Sequence, residues 1–369
     1  MSDRDQAPDP RHSAKDTRLS RRKLLTGVSA ASVFSLLSAC EQLSAQSGSR
    51  RRDRPSRSAL LLPLSGASAE LGQTLQSAAT LSGGPGIGIE IVDSGSTPET
   101  AVTAAERAVK AGAEIIVGPV FGAQASAVGK ALRVPIVTLS NDEALAGDRI
   151  FVFGVTATQS ARAVLSIAAQ RGLRTVAPVV PPGAFGAQSA AAATTVGAIL
   201  GLSMQPTMVR GNTTGLVDAL RSKGPLPDAV YLPVVDATLE PFAEELSNEG
   251  VQLLGSTQWS ALDLSGRRAF RGAWFAAPDP LRFAAFDDAF MKATGKPGGI
   301  ISGLAFDGVE LLRILGQTGQ LSTRGLTRDE GFIGVLGPYR FKSSGLCERG
   351  LGVLSVGTGE FSLIGSTSV

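Results

Sequence analysis

The chain has 369 residues, 43% of them hydrophobic, enough for two domains with substantial cores. Its formal charge of +3 is lodged at the start: residues 1–39 hold seven Lys and Arg against four Asp and Glu, leaving 28 of each sign afterwards, so a pI of 9.0 says nothing for nucleic acid. The single histidine, His12, also falls in that first segment, so the rest of the chain cannot use Ser-His-Asp or Cys-His catalysis and lacks the commonest metal ligand.

Ser20-Arg21-Arg22-Lys23-Leu24-Leu25 opens like a twin-arginine export signal, and Thr26 to Leu37 is an apolar segment too short to stay in a membrane as a spanning helix. Leu37-Ser38-Ala39-Cys40 closes it in the manner of a bacterial lipobox. The expectation is cleavage before Cys40 and a lipid anchor on its thiol. Cys347 is then the only other cysteine, and no intramolecular disulfide forms. Ser44 to Ser58, rich in Ser, Gly, Arg and Gln, reads as a flexible tether.

Folding starts at the buried strand Ala59 to Leu62, followed by a turn and a helix over 69–81. A strand over 87–92 precedes a helix that Thr97 caps and Pro98 opens. Then comes the unit around which the chain is organised: strand Glu114 to Val117, stop Gly118-Pro119, helix Phe121 to Leu132, strand Val134 to Leu139. In such β-α-β units the loops leaving the carboxyl ends of the strands form the ligand crevice, which places Pro119 to Gln124 opposite Ser140 to Asp142. After a strand near 150–153, a second series alternates helices near 158–171, 186–200, 213–223 and 236–249 with strands near 175–180, 204–209, 229–232, 252–255 and 272–276. Helices near 283–294 and 301–315 follow, then strands near 339–342, 351–356 and 360–364, the last pair a hairpin around Gly357-Thr358-Gly359. Two alternating series imply an α/β protein of two Rossmann-like lobes with parallel sheets.

The opening LLPLSGASAELGQ, the strand ending in Asp93, IIVGPVFGAQASAVGKALRVPIVTLSND, LAFDGVELL and GVLGPYRFKSSG with its terminal hairpin, in that order, resemble the type I periplasmic binding proteins of the leucine/isoleucine/valine-binding group. The resemblance implies two lobes joined by three crossovers, near 154–158, 276–281 and 343–346. It divides the chain into a signal (1–39), a tether (40–57), a first lobe (58–155 and 277–345) and a second (156–276, with the terminal hairpin 346–369). It implies a ligand between the lobes, held by Ser65, Gly66, Phe121, Gly122, Gln124, Ser140, Asn141 and Asp142, with Phe185, Tyr231 or Trp259 as a lid. Asp142 would repel a carboxylate at close range, so a neutral or cationic group is expected in that pocket. No cofactor or metal is expected.

Two functions follow. One is a solute-binding receptor in the periplasm, anchored by lipid to the cell membrane or outer membrane, that delivers an amino acid or a related small polar ligand to an ABC permease. The other, suggested by the resemblance of the same stretch to lipoproteins that activate penicillin-binding proteins, is an activator or scaffold of a peptidoglycan synthase. An enzyme is disfavoured: Asp93, Asp142, Glu143 and Asp236 read as caps and turn residues, no G-x-x-x-x-G-K-S/T occurs, and Gly83 to Gly88 precedes a strand where a dinucleotide fingerprint must follow one.

Overall fold

A computed structural model describes residues 57–81, 86, 88–147, 149–212 and 214–369, so the expectations for Arg21, Arg22, Cys40 and nearly all of the tether lie outside the described residues. The first series forms β1 (Arg57–Leu62), α1 (Ala69–Thr80), β2 (Ile89–Asp93), α2 (Pro98–Lys110), β3 (Ala113–Val117), α3 (Gly122–Ala131), β4 (Ile136–Thr138) and β5 (Ile150–Val152). These strands make one parallel sheet in the order β2-β1-β3-β4-β5. Side chains of β1 alternate between two cores: Leu60 and Leu62 pack with Leu75 and Val309, Ala59 and Leu61 with Ala105 and Val128. Helices therefore cover both faces, which is why β1 reads as a continuous apolar run.

The second series comprises α4 (Ala157–Gln170), β6 (Thr175–Val180), α5 (Ala184–Ile199), β7 (Ser203–Met204), β8 (Met208–Val209), α6 (Leu216–Arg221), β9 (Ala229–Leu232), α7 (Leu239–Ser247), β10 (Gln252–Gly255) and β11 (Trp274–Ala277). The one strand expected over 204–209 is two, pairing with opposite ends of β6, because Pro206 between them has no N–H to give a ladder. The chain then returns to the first sheet with α8 (Pro280–Thr294), α9 (Gly299–Gln317), α10 (Thr323–Leu326) and the small antiparallel sheet β12 (Phe332–Gly334), β13 (Gly337–Phe341) and β14 (Cys347–Arg349). It ends with β15 (Gly352–Val356) and β16 (Phe361–Ser366), which extend the second sheet to the order β16-β15-β11-β10-β9-β6-β7. The terminal hairpin β15-β16 is antiparallel as expected, and β15 joins β11 antiparallel too, so this edge departs from the parallel pairing of the rest of the sheet.

The third crossover corrects the sequence reading. Ser343 to Leu346 was expected to carry the chain between lobes, but it is the turn of a hairpin in which Phe341 faces Cys347 and Tyr339 faces Arg349. Cys347 and Arg349 are buried while Glu348 between them turns outward to Arg340 and Lys342, the period-two alternation of a paired strand. The chain passes to the second sheet only at Gly350 and Leu351. The other two crossovers fall at 153–156 and 278–279, where Asp279 caps α8 through the N–H groups of Leu281 and Arg282.

Candidate functional site

Three loops at the carboxyl ends of β3, β4 and β5 are fused into one wall. Gly118 leaves β3 at φ +89° with its α-carbon so close to β1 that a Cβ would lie 2.2 Å from the Leu61 carbonyl, so only glycine fits. The Thr138 hydroxyl donates to the Pro119 carbonyl (2.8 Å), which also accepts from Leu139 N (3.1 Å). Gly154 N donates to Ser140 O (3.1 Å), binding the first crossover to the same wall.

This wall borders a cavity of about 630 Å³. Phe121, Gly122, Ser140 and Asn141 line it from the first sheet, and Thr257, Gln258 and Ser260, on the 3-10 turn Thr257–Ala261 after β10, line it from the second. Phe283 of α8 and Ile300, Ile301 and Leu304 of α9 supply an apolar side. Among the described residues, none that lines it is charged. Two helices start here without a side-chain cap, α3 after Phe121 and α9 after Gly298, so N–H groups of their first turns carry partial positive charge at the cavity edge. One of the donors near α9, Gly298 N, is taken by Asp287 at 2.6 Å. Thr257 is paired with Ser160 (3.0 Å), whereas the side chains of Asn141, Gln258 and Ser260 have no hydrogen-bond partner among the described residues.

Of the expected ligand residues, Phe121, Gly122, Ser140 and Asn141 reach this cavity. The others do not line it. Gln124 is buried and donates to the carbonyls of Gly95 (3.1 Å) and Thr97 (3.3 Å), bracing α3 against the loop after β2. Ser65 and Gly66 sit at the far end of that wall beside Ser96. Asp142 corrects the charge argument: its carboxylate accepts from Ala144 N (3.1 Å) and from Gln188 of α5 (3.2 Å), and it borders a separate, smaller cavity with Glu143, Thr158 and Gln188. The lid candidates are elsewhere. Tyr231 is fully buried in central strand β9, where burial pushes its phenol up; Trp259 is fully buried against Phe270 and Phe275; Phe185 is half-buried on α5.

The carboxylates weighed as a catalytic pair act as turn and cap residues. Asp93 accepts from Leu64 N and Gly95 N, and although burial opposes it, hydrogen bonds from Ser65 and these N–H groups hold its carboxyl below the usual range. Asp236 accepts from Thr238, and Glu143 from Thr158. Among the described residues no group of three His, Cys, Asp or Glu could hold a metal, and no helix is long and apolar enough to cross a membrane. Sequence reasoning missed Gln258, Ser260, Phe283 and the start of α9. The rule that picked the loops after β3 and β4 also applies to the loop after β10, and Asp279-Pro280 marks the helix start that presents Phe283.

The fold matches solved structures of low identity. A protein from Rhodospirillum rubrum assigned to branched-chain amino acid ABC transport is 21% identical, with a TM-score of 0.73 over 84% of this chain and 100% of that one. A solute-binding protein of an ABC transporter from Rhodopseudomonas palustris, in complex with 3,4-dihydroxybenzoic acid, is 18% identical, with a TM-score of 0.62 over 85% and 97%. The leucine-, isoleucine-, valine-, threonine- and alanine-binding protein of Brucella ovis, in a closed conformation, is 15% identical, with a TM-score of 0.64 over 85% and 95%. Comparison with curated proteins gave no match. The family profile described as periplasmic binding protein matches residues 57–330, well over half of the chain, and with two α/β lobes and three crossovers around one cavity, the chain belongs to that family.

Proposed function

We propose that the protein is the solute-binding receptor of an ABC transporter, non-enzymatic and held in the periplasm through a lipid on Cys40, and that its ligand is an organic acid without an ammonium group. The observation that carries this is the lining of the main cavity: neutral throughout, with uncapped starts of α3 and α9 at its edge. A carboxylate gains from such N–H groups. An ammonium buried beside it with no acidic partner loses its hydration uncompensated, at a cost of several kcal/mol. An amine-free acid therefore replaces the amino-acid-like ligand expected from resemblance. The acid bound by the Rhodopseudomonas palustris protein is of this class.

Calorimetric titration of purified protein with benzoate and with leucine at pH 7 tests the reading. Benzoate is expected to bind, and leucine at least about a hundredfold more weakly. Leucine binding tighter than benzoate overturns the ligand class. Binding of neither, nor of any larger acid, removes the receptor reading and leaves the synthase activator, whose surface would carry its function.

A further inference from the structure

We propose that the cavity takes an elongated aromatic acid: a planar body of more than one ring, with its carboxylate at the first-sheet wall and a hydroxyl at the opposite end. This rests on the receptor reading above and narrows it.

Size is the first argument. At roughly 30 Å³ per water in the liquid, 630 Å³ corresponds to about twenty waters. Leucine or a single-ring acid fills well under half of that and leaves much of the α8–α9 side without contacts.

Shape is the second. Phe306, Phe286 and Phe283 form a chain of rings with centroids 5.4 and 5.9 Å apart, running from α9 through α8 and ending on Phe283 at the cavity. Phe121, 37% exposed, lines the same cavity from the start of α3. Among the described residues Phe283 has no ring partner other than Phe286, and rings prefer such partners offset or edge-on at 4.5–7 Å. A saturated chain could fill the space but would forgo this contact and lose rotor freedom on binding.

The far end is the third. Gln258 and Ser260 face the cavity from the second sheet with their side chains uncommitted. Covered by an apolar ligand, they would be desolvated and unpaired. An amide and a hydroxyl each donate and accept, and so does a ligand hydroxyl, whereas a second charge would find no counter-charge among the lining residues.

The test is calorimetric titration with benzoate, octanoate, 2-naphthoate and 6-hydroxy-2-naphthoate, on the parent protein and on Phe283→Leu and Gln258→Ala variants whose circular dichroism matches the parent. The expected order is 6-hydroxy-2-naphthoate, then 2-naphthoate, then benzoate, each step about tenfold, with octanoate weaker than 2-naphthoate. Phe283→Leu should weaken both naphthoates about tenfold and octanoate by less than about threefold. Gln258→Ala should cut the advantage of 6-hydroxy-2-naphthoate over 2-naphthoate from about tenfold to less than about threefold, because one partner of the hydroxyl is gone and 2-naphthoate no longer covers an unpaired amide. Benzoate binding as tightly as the naphthoates, or octanoate matching them with no response to Phe283→Leu, overturns the inference while an amine-free acid still binds and the receptor reading stands. No binding of any acid overturns both.

Discussion

Replacing Gly154 with alanine tests whether the wall of the cavity is built as described. A Cβ there would lie 2.4 Å from the Ser140 carbonyl oxygen, 2.5 Å from its carbon and 2.7 Å from Asn141 N, all backbone atoms that no rotamer change can move. Reaching an ordinary separation of about 3.5 Å requires a shift on the order of 1 Å between the first crossover and the Ser140–Asn141 loop. The hydrogen bond from Gly154 N to Ser140 O would stretch with it. Overpacking of this kind costs about 1–3 kcal/mol, offset by about 0.4–1 kcal/mol from the stiffer unfolded chain, so a net loss of about 1–2 kcal/mol is expected. Affinity should fall at least about tenfold, because a displaced Ser140 loop loses or weakens one hydrogen bond to the charged group, worth about 1.5–3 kcal/mol. Urea denaturation followed by circular dichroism gives the first quantity and calorimetric titration of the acids above gives the second. Gly147→Ala is the control: nothing among the described residues lies within 4 Å of the added Cβ, so it should keep the parent's affinity and gain only about 0.4–1 kcal/mol from the stiffer unfolded chain. A Gly154→Ala protein with the parent's denaturation midpoint and affinity would refute the contact argument.

Two other outcomes are expected. Burial pushes the Asp307 carboxyl up to about 6 despite the Arg349 guanidinium nearby and the N–H groups of Val335 and Leu336. The folded state thus holds this proton to higher pH than the unfolded chain, so this group's contribution falls as pH rises from about 4 to 7, by on the order of 2 kcal/mol. Denaturation of parent and Asp307→Asn at both pH values should show the variant gaining by that amount relative to the parent at pH 7; a constant difference would refute it. Asp142→Thr, whose lost carboxylate borders the smaller cavity and Gln188, should change acid affinity by less than about threefold, as a partly exposed charge outside the site is screened. A tenfold gain in the same titration would return Asp142 to the ligand site.

The alternation of strands and helices was legible in the chain, because apolar run length and a cap such as Thr97 with Pro98 act within a few residues. So was the crevice that the loops after β3 and β4 form, since the carboxyl ends of parallel strands must face the same way. Four of the expected ligand residues are in the cavity on that account. Which way each side chain turns was decided by tertiary structure. Ser140 and Asn141 face the cavity while Asp142, next in the chain, caps the turn after it and meets α5. Gln124 on the first turn of α3 is drawn to the carbonyls of Gly95 and Thr97 on a different loop. Tyr231 and Trp259 were eligible lids by composition, but the second sheet and its covering elements bury both completely. Gln258, across the crevice on the second sheet, and Phe283, on the helix with which the chain returns to the first, stand more than a hundred residues from Ser140, and no local periodicity encodes meetings that depend on how the chain crosses between two sheets.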